Sequence, residues 1–275
     1  MSVSLPDGRA ISGVRGGVTG PPVVLEAGLG NPAATWVAVQ RLLALTCHTI
    51  AYDRAGHGDS TPAQAPRTLL ALADDLEAVL DATVADEPVV LAGHSWGGQV
   101  VRLVAQRSPH RVRGVMLIDP TVSAVIADGQ VSGVQAMYEE LERRVLGGER
   151  ASLLNEQRAR WARGMSAEEL DVATADFLTE GNVRTARREA VDLESARPLL
   201  ENLEASPCPV PIRYLAGSRD AHGDADRELL IAECERIAHL TPGGRSVVID
   251  DARHSIPQES PRRTAQEIAA FAHEL

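Results

Sequence analysis

Residues Gly93-His94-Ser95-Trp96-Gly97 form a G-x-S-x-G pentapeptide, directly after the apolar run Val89-Val90-Leu91-Ala92 and directly before residues at helical spacing. A serine in a sharp strand-to-helix turn needs small neighbours, because the backbone there is strained and adjacent chains pack close. Such a turn lifts the hydroxyl out of the sheet and sets the next backbone N–H, that of Trp96, at a helix N-terminus, where it can stabilise an oxyanion. The pentapeptide alone is weak evidence; the strand before it and the helix after it make it informative. A serine hydroxyl is a poor nucleophile without a base, usually a histidine oriented by a carboxylate. Of the eight histidines, His254 follows the last strand-like run and precedes the terminal helical pattern. In a parallel sheet that station returns it to the carboxyl edge, beside the nucleophile. His94 points elsewhere from the turn and reads as a packing residue; His48, His57, His110, His222, His239 and His273 read as solvated or locally satisfied imidazoles.

These side chains need a scaffold, and the chain supplies a regular alternation. Short apolar runs bounded by turn residues predict strands at 22–26, 48–52, 88–92, 113–118, 211–216 and 246–249, with a weaker one at 10–14. Amphipathic spacing predicts helices at 36–45, 68–81, 97–107, 226–239 and 262–274. The expected fold class is α/β, a mostly parallel sheet covered by helices. The alternation breaks once, over residues 121–206, where apolar residues follow helical spacing. Val134, Met137, Tyr138, Leu141 and Val145 make one stripe, and Leu170, Ala173, Phe177 and Leu178 suggest another. Proline-marked boundaries, Asp119-Pro120 and Pro207-Cys208-Pro209-Val210-Pro211, flank the segment. The expected organisation is therefore a core of residues 1–120 and 207–275, with a helical lid inserted at 121–206.

Composition narrows the chemistry. The chain has 275 residues, 27 basic against 38 acidic, and a net charge of -11. That field repels phosphate backbones and anionic lipid, so neither nucleic acid nor a membrane surface is an expected partner. All the basic residues are arginine, which excludes a Schiff base, a P-loop lysine contact and a serine-lysine pair. Cys47, Cys208 and Cys234 are odd in number and widely spaced, and read as small buried hydrophobes in a reducing compartment. No signal-peptide pattern opens the chain, and a cytoplasmic location is expected. No Cys or His cluster has metal-ligand spacing, and neither a metal nor a cofactor is expected.

The sequence resembles the α/β-hydrolase fold family over essentially its whole length. The resemblance rests on Ala27-Gly28-Leu29-Gly30, the run from Tyr52 to Ser60, the pentapeptide with Gly98, Leu117-Ile118-Asp119-Pro120, Ala216-Gly217-Ser218-Arg219-Asp220, and His254 with the following Pro257 to Pro261. It implies a triad of Ser95, His254 and an acid after the strand that follows the lid, which lands on Asp220. It also implies an oxyanion hole from the N–H groups of Leu29 and Trp96. Asp119 is the rival acid, since some relatives carry the carboxylate after the earlier strand; Asp250 and Asp251 stand too close to His254 along the chain to curl back. Many relatives have His-Gly where this chain has Ala27-Gly28, which puts the oxyanion loop's support in question. The loop from Asp53 to Ser60 reads as scaffold. Serine at the nucleophile position disfavours the relatives that use aspartate there, dehalogenases and epoxide hydrolases.

The function implied is cofactor-free hydrolysis of a carboxylic ester, thioester or lactone through an acyl-enzyme. Carbon-carbon bond hydrolysis, acyl transfer, peroxyacid formation and ligand binding with little turnover stay open, because one fold hosts all of them. The partner expected is a small, mainly apolar ester-like molecule. Tyr138, Trp161 and Phe177, with Met137 and Met165, are expected to line its pocket. A rival dinucleotide reading, on Gly28-Leu29-Gly30-Asn31-Pro32-Ala33 with Asp53 downstream, leaves Ser95 and His254 unexplained.

Overall fold

A computed structural model describes residues 1–84, 87–126, 130–219 and 224–275. Its strands are β1 (Ser2–Ser4), β2 (Ala10–Gly16), β3 (Pro22–Glu26), β4 (His48–Tyr52), β5 (Val89–His94), β6 (Val112–Ile118), β7 (Ile212–Gly217) and β8 (Arg245–Ile249). They form an 8-stranded sheet in the order β1-β2-β4-β3-β5-β6-β7-β8. From β4 to β8 across the sheet every pairing is parallel; β1 and β2 join antiparallel at one edge. The chain is thus an α/β-hydrolase fold. The six longer runs expected from the sequence each hold a strand, and only β1, three residues long, is too short to show a period.

Period-two alternation divides the core between the faces of the sheet. Val24, Leu91, Val115, Leu117 and Tyr214 face one way, onto α2 (Leu69–Thr83), α3 (Trp96–Arg107) and α10 (Asp224–His239). Val23, Leu25, Val90, Met116 and Leu215 face the other way, onto α1 (Val37–Leu43) and α12 (Pro261–Glu274). Both faces being covered explains why the central strands read as unbroken apolar runs.

Between β6 and β7 the described residues are helical: α4 (Gln130–Arg144), α5 (Arg150–Trp161), α6 (Ala167–Ala175), α7 (Glu180–Ala190), α8 (Asp192–Ser195) and α9 (Arg197–Ala205). Ser166 opens α6 with a capping box, its hydroxyl accepting from the Glu169 N–H while Glu169 reaches back to the Ser166 N–H. The same Glu169 pairs with Arg41 of α1, tying α6 to the core. Phe177 and Leu178 fall beyond the end of α6, and Leu178 takes a left-handed φ of 57°. Their stripe therefore continues through a turn rather than along one helix.

Candidate active site

The turn from β5 into α3, at the carboxyl edge, is closely packed. Ser95 sits there at φ 54°, ψ -121°, a strained conformation for any residue with a side chain. A Cβ on Gly93 would stand 2.3 Å from the Gly97 carbonyl oxygen, and one on Gly97 would stand 2.4 Å from that of Ala27. Both positions of the pentapeptide therefore require glycine for lack of space. Ser95 is held from β6 as well: its N–H donates to the Ile118 carbonyl at 2.9 Å, and its own carbonyl accepts from Gly98 and Thr121.

His254, on the loop between β8 and α11 (Ile256–Glu259), reaches the same point. Its Nε2 lies 3.1 Å from Ser95 Oγ, and its Nδ1 lies 2.7 Å from Asp119 Oδ2. A carboxylate accepts, so Nδ1 carries the proton and Nε2 offers its lone pair to the serine hydroxyl. The carboxylate on the histidine is thus Asp119, at the end of β6. Asp220 lies outside the described residues. Asp251 pairs with Arg219 on the surface.

Asp119 is built to stay charged. It turns the chain at φ 44° and is fully buried. Burial alone would raise its pKa, yet the bond and charge of His254 and the charge of Arg227 hold it below the ordinary carboxylate value. Its second oxygen accepts from the Gly217 N–H at 2.9 Å and from Arg227 Nη1 at 2.6 Å. Nothing in the local sequence flags Arg227, because it enters from α10, 108 residues away.

His94 is more than packing. Its Nε2–H donates to the backbone carbonyl of His254 at 2.7 Å, so it holds the loop that carries the base. Burial first, and His254 second, push its pKa down to about 3, and it remains a neutral prop.

The loop Ala27-Gly28-Leu29-Gly30 lies directly on this turn, since a Cβ on Gly28 would stand 3.2 Å from that of Ser95. Arg54 supplies the support that the missing histidine left in question. Its Nη1 donates to the Ala27 carbonyl at 2.5 Å and its Nη2 to the Gly28 carbonyl at 2.9 Å. Trp96 is the first residue of α3, so its N–H is among those a helix leaves without an internal partner. Arg54 also pairs with Glu26 and with Glu189 of α7, all three side chains being buried. The run from Tyr52 to Ser60 is accordingly scaffold, with Arg54 holding the loop of Ala27 and Gly28 against the Ser95 turn.

The aromatic residues of the insertion divide. Tyr138 donates to the Leu29 carbonyl at 2.9 Å. With Phe177, Met137 and Leu153 it lines a cavity of about 350 Å³ between α4, α5 and α7, beside Gly30 and Asn31. Arg144, Glu156 and Arg160 also border it, so its lining is mixed. Trp161 and Met165 do not line this cavity. Trp161, 2% exposed, packs with Ala38, Met165, Leu170 and Ala173, and its ring meets Phe177 at 5.2 Å. Its bulk fills the seam between insertion and core rather than the wall of this cavity.

Residues 23–267 match the Alpha/beta hydrolase family, and the chain belongs to that family. Among similar proteins, YqjL of Bacillus subtilis, whose function is uncharacterised, is 32% identical over 39% of this chain and 43% of its own. A putative carbamate hydrolase, RutD of Azorhizobium caulinodans, is 36% identical over 36% of this chain and 37% of its own. The matched stretches thus span less than half of these curated relatives. A thermophilic esterase from Thermogutta terrifontis superposes over 100% of this chain and 98% of its own, with a TM-score of 0.76 at 22% identity, a likeness of fold. Among the described residues no helix is long and apolar enough to cross a membrane.

Proposed function

From its place in the alpha/beta hydrolase family, we propose that this chain is a serine hydrolase that cleaves a carboxylic ester, thioester or lactone through an acyl-enzyme. The observation that carries the reading is the unbroken relay from Ser95 Oγ through His254 to Asp119, at 3.1 and 2.7 Å. Ser95 Oγ attacks the carbonyl carbon while His254 Nε2 takes its proton. Asp119 keeps the imidazole in the tautomer that can do so and stabilises the imidazolium that forms. The N–H groups of Leu29 and Trp96 receive the oxyanion. Collapse of the tetrahedral adduct expels the alcohol or thiol, which leaves with the proton from Nε2. Water then repeats the sequence on the acyl-enzyme and frees the acid.

The insertion over residues 121–206 acts as a lid on a core of 1–120 and 207–275. An insertion leaving the carboxyl end of a central strand emerges where open α/β sheets bind ligands. The cavity beside Gly30, with Tyr138 and Phe177 in its wall, takes the mainly apolar part of a small to medium substrate.

The test joins active-site labelling to a substrate panel. A fluorophosphonate should label the wild type once and leave Ser95→Ala unlabelled. Activated esters and lactones graded by acyl length, with a carbamate added for the RutD likeness, should be hydrolysed by the wild type alone. Equal turnover by Ser95→Ala, or labelling that persists within the site, rejects the serine mechanism.

A further inference from the structure

We propose that Arg227 is a positioning residue of the relay, whose guanidinium fixes the outer oxygen of Asp119 and whose charge offsets that of the carboxylate in front of His254. The inference rests on the reading of Asp119 as the acid of the triad.

The geometry is specific. Arg227 Nη1 meets Asp119 Oδ1 at 2.6 Å, with the Arg227 side chain 6% exposed and Asp119 fully buried. The bond is made on the oxygen that His254 does not use, since Nδ1 takes Oδ2. With the Gly217 N–H on the same oxygen, the carboxylate plane is pinned and Oδ2 is aimed at the imidazole. An arginine in this place also opposes the field of the carboxylate. An isolated aspartate beside a histidine strongly favours the imidazolium, whereas an aspartate already neutralised by a guanidinium favours it less. With the guanidinium charge removed, the imidazolium should gain stability and His254 should be less ready to accept the proton of Ser95.

Other groups around the pair do not supply this effect. His94 of β5, its ring 5.0 Å from that of His254, is held neutral by burial. Cys234 of α10 has its thiol pushed up by burial and stays uncharged. Arg253 on the histidine loop is paired with Glu259 of α11, and Arg219 after β7 with Asp251 after β8, so both arginines are compensated. Asp250 is exposed. Asp220 and His222 lie outside the described residues. Among the described residues, the arginine that sets the charge on Asp119 is Arg227.

The experiment is the pH profile of kcat/KM on one activated ester, whose acid limb reports the base in the free enzyme. In Arg227→Met the limb should move up by about one pH unit, the size expected for removing a unit charge close to the imidazole in partly screened surroundings. Arg227→Lys, which keeps the charge, should hold the limb near the wild-type position. Arg227→Gln keeps a donor, drops the charge and should shift the limb like Met, so it serves if the Met variant fails to fold. An uncharged variant that folds, with its limb unmoved, overturns the proposal whatever its loss of kcat, because Arg227 would then only pack α10. Asp119→Asn separates the two levels. If it is inactive while the limb stays put, the inference on Arg227 alone fails; if it retains turnover, the acid assignment fails and takes the inference with it.

Discussion

Two clusters in this molecule combine the same three chemical groups, a carboxylate, an imidazole and a guanidinium. At the carboxyl edge, Asp119 holds His254 and is gripped by Arg227. Below the loop of Ala27 and Gly28, Glu189 holds His57 and is gripped by Arg54. The difference lies in the far nitrogen of each histidine. His254 Nε2 faces the hydroxyl of a strained serine, and its side chain is 52% exposed. His57 is 0% exposed, and Asn182 Nδ2 donates to its Nδ1 at 2.7 Å, which leaves Nε2 to carry the proton toward Glu189. Both nitrogens are used, and there is no room for a substrate. A carboxylate, an imidazole and a guanidinium do not make an active site. An imidazole with one nitrogen left for chemistry does.

The strongest way to break this comparison is to neutralise the histidine partner in each cluster. Asp119→Asn should lower kcat by about 10⁴-fold, as loss of the orienting carboxylate does in serine proteases, while the protein stays folded. His57→Gln should leave kcat within a few-fold of wild type and cost stability instead, by about 1–3 kcal/mol for unpaired buried groups. Steady-state kinetics and urea unfolding on both variants decide it. Should His57→Gln lose turnover as Asp119→Asn does, without unfolding, the lower cluster takes part in the chemistry.

Next in size is the electrostatic cost of breaking the pair of Arg54 and Glu189. Burial would raise the pKa of Glu189, but Arg54 and His57 overcome it and hold the carboxyl well below its usual range. A carboxylate with a depressed folded pKa contributes stability above its unfolded value, near 4.5, and loses it as pH falls toward the folded value. Glu189→Gln should therefore cost about 3 kcal/mol at neutral pH, as breaking a buried pair does, and the deficit should shrink as the pH drops below 4.5. Urea midpoints at pH 7 and pH 4 test the sign. A deficit that is constant with pH would mean that packing rather than charge holds Arg54 to α7.

How much of this was legible in the sequence follows from how each part is held. The turn at Ser95 is fixed by neighbours in the chain, so its glycines, the strand before it and the helix after it all stand within a few residues. His254 is brought to Ser95 by topology, and the order of strands was enough to expect it there. The carboxylate beside it could not be read that way. Asp119 and Asp220 both follow strands at the carboxyl edge, and the choice depends on contacts from Gly217 and Arg227 that no local pattern records. Arg54 stood in a recognisable run, but its task, bonding two carbonyls of a loop about 26 residues earlier, is a tertiary fact. In the insertion the apolar stripes gave helices, as in α4, without saying which aromatic ring faced a neighbour. Trp161 and Tyr138 look alike as aromatic side chains of the insertion; one fills a seam and the other bonds the Leu29 carbonyl.

The smallest expected effect bears on that last contrast. The Tyr138 hydroxyl donates to the carbonyl of Leu29, whose own N–H is proposed to receive the oxyanion, so the bond fixes a peptide unit adjoining the reacting centre. Arg54 already ties the two preceding carbonyls from below, and the tyrosine adds a single neutral hydrogen bond from above. Such a bond has a net value of about 1 kcal/mol, so Tyr138→Phe should lower kcat about five-fold with KM nearly unchanged. Chain-length preference should stay the same, because the ring that borders the cavity remains. Measuring kcat and KM across short and long acyl esters separates the two duties of this residue. A fall in kcat that is uniform over acyl length assigns the hydroxyl to the loop. If kcat holds and the preference for acyl length changes, Tyr138 acts on substrate as cavity wall, and the oxyanion loop is held by Arg54 alone.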